Sequence, residues 1–428
     1  LPAGDNGTYF QRVPLVGIEP TNAVTLSVTS KGRATAFRWI DEFVGGTERQ
    51  QPLVQFDADA VFVGHGITAP EFKWDDYKGV DVRGRLLIGF VNEPGRDDPR
   101  RFGGRALTLH GRWRTKLELA ARRGAAGMLL IHTDADAGYA WAVARSTATR
   151  PTLGLAEDPA RLPLGGWIRE PAARALLRLA GMDLDELRRR AERRSFRPLE
   201  LPVTVEIRSR LASRPVNGRN VVGLLAGGEP GAVVLTAHYD HLGIGRAEQG
   251  DSIYNGAVDN CTASALLLSL AQAYGRSDPA THPTLVFVAA DAEEEGMLGS
   301  IWQTRHPAVP LDRVRGVVNL EMSNPWGRTR DLMVIGAPRA AFARWLAPVL
   351  DARGLRLAED PSPEQGFLFR SDQLAWLQAG VPAAWLNGGT DYEGRPAGWG
   401  AARQAEYRAN AYHRPADEIG ADFDYAGL

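Results

Sequence analysis

Five separated groups of metal-competent side chains stand out, three of them directly after apolar, strand-like runs. Ala232–Ala237 leads straight into His238-Tyr239-Asp240-His241, and Thr284–Ala289 leads into Asp291-Ala292-Glu293-Glu294-Glu295-Gly296. Val317-Val318-Asn319-Leu320 ends in Glu321, Asp259-Asn260 precedes a helical stretch starting near Thr262, and His413 lies in Ala411-Tyr412-His413-Arg414-Pro415. Charges at the ends of apolar strands face a partly desolvated cleft, where isolated ions are costly unless paired or coordinated. A divalent cation answers several of them at once. Imidazole and carboxylate donors without thiolates suit zinc, with cobalt or manganese as substitutes. Two histidines and three carboxylates exceed what one tetrahedral ion with an open position needs. They suit two ions about 3.5–4 Å apart that share a carboxylate. Each group also has an ordinary reading: a core histidine held by a carboxylate, a solvated Glu run, a helix N-cap at Asp259-Asn260. Their agreement on one rim of one expected sheet favours the metal.

The elements that must position these groups are legible from about Val203 onward. Strands are expected at Val203–Ile207, Asn220–Leu225, Ala232–Ala237, Thr284–Ala289, Val314–Leu320, Leu332–Ile335 and Ala383–Leu386, with helices at Thr262–Tyr274, Ala340–Ala352 and Ser371–Ala379. Near-continuous Val/Leu/Ile strands alternating with helices give an α/β fold, a mixed, mostly parallel sheet sandwiched by helices. In such sheets the site lies beyond the carboxyl ends of the strands. Residues 52–200 have another texture: short β-like runs at Asp59–Val63, Arg85–Phe90 and Gly127–Ile131, and helical patterns at Thr115–Arg123 and Pro171–Arg194. Residues 1–51 are polar and irregular, with an amphipathic helix expected at Thr35–Phe43 and the segment expected to pack on the domain of residues 201–428.

Composition narrows the partners. The 428 residues carry 50 Lys+Arg against 51 Asp+Glu, a net charge of -1 that lacks the basic excess of a nucleic-acid binder. No apolar run reaches the roughly 18 residues of a membrane span. The lone cysteine, Cys261, excludes an intramolecular disulfide. The chain opens on Leu1 and shows no secretory leader, so it is expected to derive from a longer precursor and to work outside the cytoplasm.

His238-x-Asp240, Asp259-Asn260, Ala292-Glu293-Glu294-x-Gly296-x-Leu298-Gly299-Ser300, Asn319-Leu320-Glu321-Met322 and Tyr412-His413-x-Pro415-Ala416-Asp417 resemble, in order and spacing, the co-catalytic zinc exopeptidases of metallopeptidase family twenty-eight. The resemblance spans about Val203 to Asp417. It implies that His238 and Glu321 bind one zinc, Glu294 and His413 the other, and that Asp259 bridges them. Asp240 matches the carboxylate that orients the ligand histidine, Glu293 the general base, and Tyr412 a tyrosine that hydrogen-bonds the developing oxyanion. Two positions depart from the pattern. Glu321 stands where Asp is more frequent and is one methylene longer. Cys261 replaces a small Ala and is read as a small buried side chain. Ala60–Ile67, Trp74–Gly84 and Ala120–Gly127 resemble the protease-associated domain that many members carry, inserted here at residues 52–200. An insert of this kind is expected to cover the cleft and restrict substrate length.

The implied reaction is hydrolysis of the amino-terminal bond of a peptide or small amide: water is activated by metal, its proton passes to Glu293, and the oxyanion is met by metal and Tyr412. An aminopeptidase needs an acid for the substrate ammonium, with Glu321, Asp391 and Glu393 as candidates. A carboxypeptidase needs a cation, with Arg370, Arg395 and Arg414 as candidates. Gly389-Thr390-Asp391-Tyr392 and Tyr412-His413 lie closer to the aminopeptidases. Phe367-Leu368-Phe369, Trp385, Tyr392 and Trp399 either line a side-chain pocket or belong to the core. Rival readings are a carboxypeptidase, a non-peptide amide hydrolase or single-zinc cyclase, and a receptor-like binding module without catalysis. His65, His110, His132, His282 and His306 lack mutual spacing and are read as structural or surface groups.

Overall fold

The computed structural model describes residues 1–47, 50–98, 100–148, 151–156, 162–337 and 339–428. The chain divides into two compact units: Leu1–Leu15 with Asn217–Pro361 and Phe367–Leu428, and Val16–Val216 with Ser362–Gly366.

In the first unit, strands run in the order Arg356–Ala358, Asp331–Ala337, Ala383–Gly388, Val314–Leu320, Glu229–His238, Pro283–Ala290, with the end of Leu199–Leu225 at the edge. Ala383–Gly388, Val314–Leu320, Glu229–His238 and Pro283–Ala290 are mutually parallel. Antiparallel neighbours flank them on both sides, so the sheet is mixed and mostly parallel. The period-two alternation of a strand assigns its residues to two cores. Val286, Val288 and Ala290 pack with Trp376 and Val381, on the side of the helix Gln373–Gln378. Leu285 and Phe287 pack with Ala263 and Leu267 of the helix Thr262–Tyr274. Helices on both faces explain why these strands read as unbroken apolar runs.

The second unit has its own sheet: Leu53–Phe62, Leu86–Phe90, Gly127–His132 and Leu164–Arg169 in parallel succession, with Phe43–Gly46 antiparallel at one edge. The first part of Leu199–Leu225 pairs antiparallel with Leu53–Phe62 and with Thr25–Ser30. Residues 16–47 count with this unit, because their strands take up its edge hydrogen bonds.

The helix expected at Thr35–Phe43 is not formed. Arg33–Phe37 is a strand, antiparallel to Thr25–Ser30 with Leu26 opposite Phe37. Between them Lys31 and Gly32 take φ of 48° and 76°, the two left-handed residues of a type I′ hairpin turn. Phe37, Ile40 and Phe43 imitate a helical period, and the turn chemistry overrides it. The pattern at Pro171–Arg194 resolves into Glu170–Leu179 and Leu184–Ala191. Gly181 at φ 75° and the Asp183 carboxylate, which accepts from the Glu186 N–H at 2.9 Å, end one helix and start the next.

Candidate metal centre

The strand Glu229–His238 lies between Pro283–Ala290 and Val314–Leu320, which follow it in sequence but sit on opposite sides. Crossovers that leave in opposite directions open a crevice at the carboxyl ends of the strands. His238 ends the first of these strands, Glu293 and Glu294 lie just past the second, and Glu321 directly follows the third.

Each side chain is fixed by its own support. His238 Nδ1 pairs with the Asp240 backbone carbonyl at 3.0 Å, and with the proton placed on Nδ1 the Nε2 lone pair is free for a ligand. The Asp240 carboxylate is 3.7 Å from that ring nitrogen and accepts instead from the backbone N–H groups of Glu293 and Glu294, at 3.0 and 3.2 Å. Asp259 sits in the turn Ala257–Cys261, and the N–H groups of Val258 and Asp259 donate to Asp417 at 2.9 and 3.1 Å. Asn260 clamps the end of Val314–Leu320, donating to the Leu320 carbonyl at 3.2 Å and accepting from the Met322 N–H at 2.8 Å. Ser371 Oγ donates to Glu321 Oε2 at 2.5 Å, and Trp385 Nε1 donates to the Glu321 carbonyl at 2.7 Å. The Tyr412 ring stacks on His413 with centroids 4.0 Å apart. Ala292, Met322 and His413 take φ of 55°, 42° and 57°, so left-handed backbone in residues with side chains clusters at or beside the donors.

The donors form two sets that share Asp259. His238 Nε2 lies 3.3 Å from Asp259 Oδ1 and 3.3 Å from Glu321 Oε1. His413 Nε2 lies 3.3 Å from Asp259 Oδ2 and 3.3 Å from Glu294 Oε2. Two donors bound at about 2.0–2.1 Å to one tetrahedral zinc are separated by roughly 3.3–3.4 Å. The spacing, the burial and the donor chemistry therefore fit a zinc-type cation. Among the described residues two groups of His, Asp and Glu have metal-holding spacing, His238 with Asp259 and Glu321, and His241 with Asp259 and Glu294.

The description "Peptidase family M28" matches residues 220–427, and that stretch contains every one of these donors. Residues 220–427 form a peptidase family M28 domain. Solved structures similar to the chain include an aminopeptidase from Aneurinibacillus sp. strain AM-1, at 18% identity and TM-score 0.49, covering 90% of this chain and 76% of that one. BSAP, a zinc aminopeptidase from Bacillus subtilis, is 17% identical with TM-score 0.40, covering 96% and 89%. A Peptidase M28 precursor from Shewanella amazonensis SB2B is 16% identical with TM-score 0.42, covering 88% and 74%. No curated protein matches in sequence. The family rests on the match over residues 220–427, not on these superpositions.

Electrostatics within the M28 domain separate groups that chemistry would use differently. Burial opposes charge on His238, yet the Glu321 and Asp259 carboxylates beside it hold its pKa well above the usual imidazole range. Burial holds Glu293 well above the carboxylate range; His238 works against this, and the Glu321 and Glu294 charges reinforce it. Glu294 is held low despite its burial, chiefly by His413. Burial raises Asp240 to about 7.

Three residues of the M28 domain were missed in the sequence. His241, quoted only as the end of His238-Tyr239-Asp240-His241, faces Glu294, with Nδ1 2.7 Å from Oε1. Ser371 supports Glu321. Asp372 is wholly buried, and its charge helps to raise Glu293. His241 had a signal, its place at the same strand end as His238. Ser371 and Asp372 had none, since they open a short helix more than 100 residues from His238 in sequence.

Cys261 is exposed, against the expected burial. The helix Thr262–Tyr274 buries Thr262, Ala263 and Leu267, and Cys261 falls on the opposite stripe with the exposed Leu268, seven residues on. Asp391 pairs with Arg330 at 3.1 Å and with Arg356. Arg370 lies over Phe367, Arg395 over Trp399, and Arg414 faces Glu248 at 3.8 Å. Trp385 and Tyr392 are core residues, each 3% exposed. The other histidines sit apart: His65 meets Glu192, His110 meets Glu71, His132 packs among Tyr139, Trp141 and Trp167, His282 meets its neighbour's carbonyl, and His306 stacks on Trp302.

Proposed function

We propose that the protein is an aminopeptidase that works with two zinc ions, His238 and Glu321 holding one, Glu294 and His413 the other, and Asp259 both. The single observation that carries this reading is the pair of donor sets meeting at the two oxygens of Asp259, 3.3 Å from His238 and 3.3 Å from His413. Zinc, when bound, lowers the pKa of water to about 7 and polarises a carbonyl.

The chain's own residues supply the remaining steps. Glu293, beside the donor sets and favouring its proton, takes the proton of the attacking water and returns it to the leaving amine. Burial, with Asp259 and Glu294 nearby, keeps the Tyr412 phenol protonated, so it can donate to the oxyanion that forms at the scissile carbonyl. Asp240 holds the Glu293–Glu294 backbone in register with His238. The three arginines that a carboxypeptidase would draw on are engaged with Phe367, Trp399 and Glu248. We further read residues 52–200 as a protease-associated insert and the protein as one that acts outside the cytoplasm.

The test is a matched pair of substrates, leucine anilide and its N-acetylated form, assayed with zinc and with a chelator. Cleavage of the free amine alone, abolished by chelation, is expected. Equal cleavage of the blocked form would remove the aminopeptidase assignment and leave an amide hydrolase.

A further inference from the structure

His241 takes no part in the donor sets just assigned, yet its placement is that of a ligand. Its side chain is 6% exposed, and Nδ1 lies 2.7 Å from Glu294 Oε1. Among the described residues, neither ring nitrogen of His241 nor Glu294 Oε1 has an aligned hydrogen-bond partner. The contact is one of charge, which helps to hold Glu294 low, and it leaves the buried ring nitrogens without an aligned hydrogen bond, a need that a shared cation meets. The ring is held in that attitude from two sides. It meets His413 edge to face, with centroids 5.7 Å apart. On the other side lies Gly256, at φ 67°, where a Cβ would come within 2.6 Å of His241 Cγ and 2.9 Å of its Cβ. The backbone thus leaves out a side chain where the imidazole stands. Donor atoms of His241, Asp259 and Glu294 all lie within 4.8 Å of one another.

We propose that His241 is a further nitrogen donor to the ion held by Glu294 and His413. This rests on the two-ion reading above and deepens it. The two sites become unequal: His241, His413, Glu294 and Asp259 converge on one, and His238, Glu321 and Asp259 on the other. The Glu294 site, richer in nitrogen donors, is then the last to be emptied by a chelator, and the His238 site is the one that loads and unloads first.

Zinc content under stepwise chelator competition, and the imidazole count from X-ray absorption, test this on the full chain as wild type, His241→Ala and His241→Gln. The expected result is two zinc ions in the wild type. In both variants the tighter ion weakens by about 10-fold or more, and the imidazole count per chain falls by one. An unchanged imidazole count overturns the proposal. So does recovery of wild-type affinity in His241→Gln, which can hydrogen-bond Glu294 without offering an imidazole. A wild type that holds no zinc removes the two-ion reading together with this one. A wild type with two zinc ions and an unaffected His241→Ala removes this one alone.

Discussion

Glu293 and Glu294 share one support and then part. Their backbone N–H groups donate to the same Asp240 carboxylate, at 3.0 and 3.2 Å. Glu293 Oε2 then lies 4.0 Å from His238 Nε2, whereas Glu294 Oε2 lies 3.3 Å from His413 Nε2. Burial pushes Glu293 up, and the histidine beside Glu294 holds it down. Two adjacent carboxyl groups with opposed proton affinities are what a base beside a ligand requires.

Glu293→Gln keeps the shape and loses the proton acceptor. Turnover is expected to fall about 10²–10⁴-fold, with zinc content unchanged. Turnover and metal analysis on one preparation check this, and near-wild-type activity would reassign the base.

The shared position of Asp259 separates two variants by stoichiometry. His413→Ala touches one donor set and is expected to lower zinc content by one ion. Asp259→Ala touches both and is expected to weaken both ions. Equal loss from the two variants would mean that Asp259 does not bridge.

Metal removal leaves buried Asp259, Glu293 and Glu321 beside the Glu294 carboxylate, whose side chain is 6% exposed, without a cation. Ligand present at about 100 times its Kd stabilises a fold by about 2.7 kcal/mol. Chelation is therefore expected to lower Tm by several degrees, restored by zinc. Thermal unfolding with and without chelator measures it, and an unshifted Tm would count against bound metal in the native protein.

Lys116, in the second unit, is 1% exposed and donates to the His65 and Asn92 carbonyls at 2.5 and 2.6 Å. Burial lowers its pKa to about 7, against the pull of Asp76 and Glu93. An unfolded lysine titrates near 10.4, so between about pH 7 and 10 the unfolded chain binds the extra proton and stability rises with pH. The slope from this one group approaches about 1.4 kcal/mol per pH unit. Lys116→Met is expected to flatten the pH dependence of denaturant unfolding in that window. An unchanged slope would show that the lysine stays charged in the fold.

The sequence by itself determined the parallel strands within residues 232–237, 284–289, 314–320 and 383–386, the helix Thr262–Tyr274 and the ends at which His238, Glu293, Glu294 and Glu321 fall, because apolar period and strand-end placement are local patterns. It also ordered the motifs that mark the M28 domain. It misread Thr35–Phe43, where a spacing of three imitates a helix and only pairing with Thr25–Ser30 selects the strand. Only the tertiary structure decided that the Asp240 carboxylate holds the Glu293 and Glu294 amides, 53 and 54 residues on. Likewise Ser371 reaches Glu321 across 50 residues, and His241 turns to Glu294. Such partners are chosen by which strand ends the crossovers bring together, and no local pattern in the chain encodes that choice.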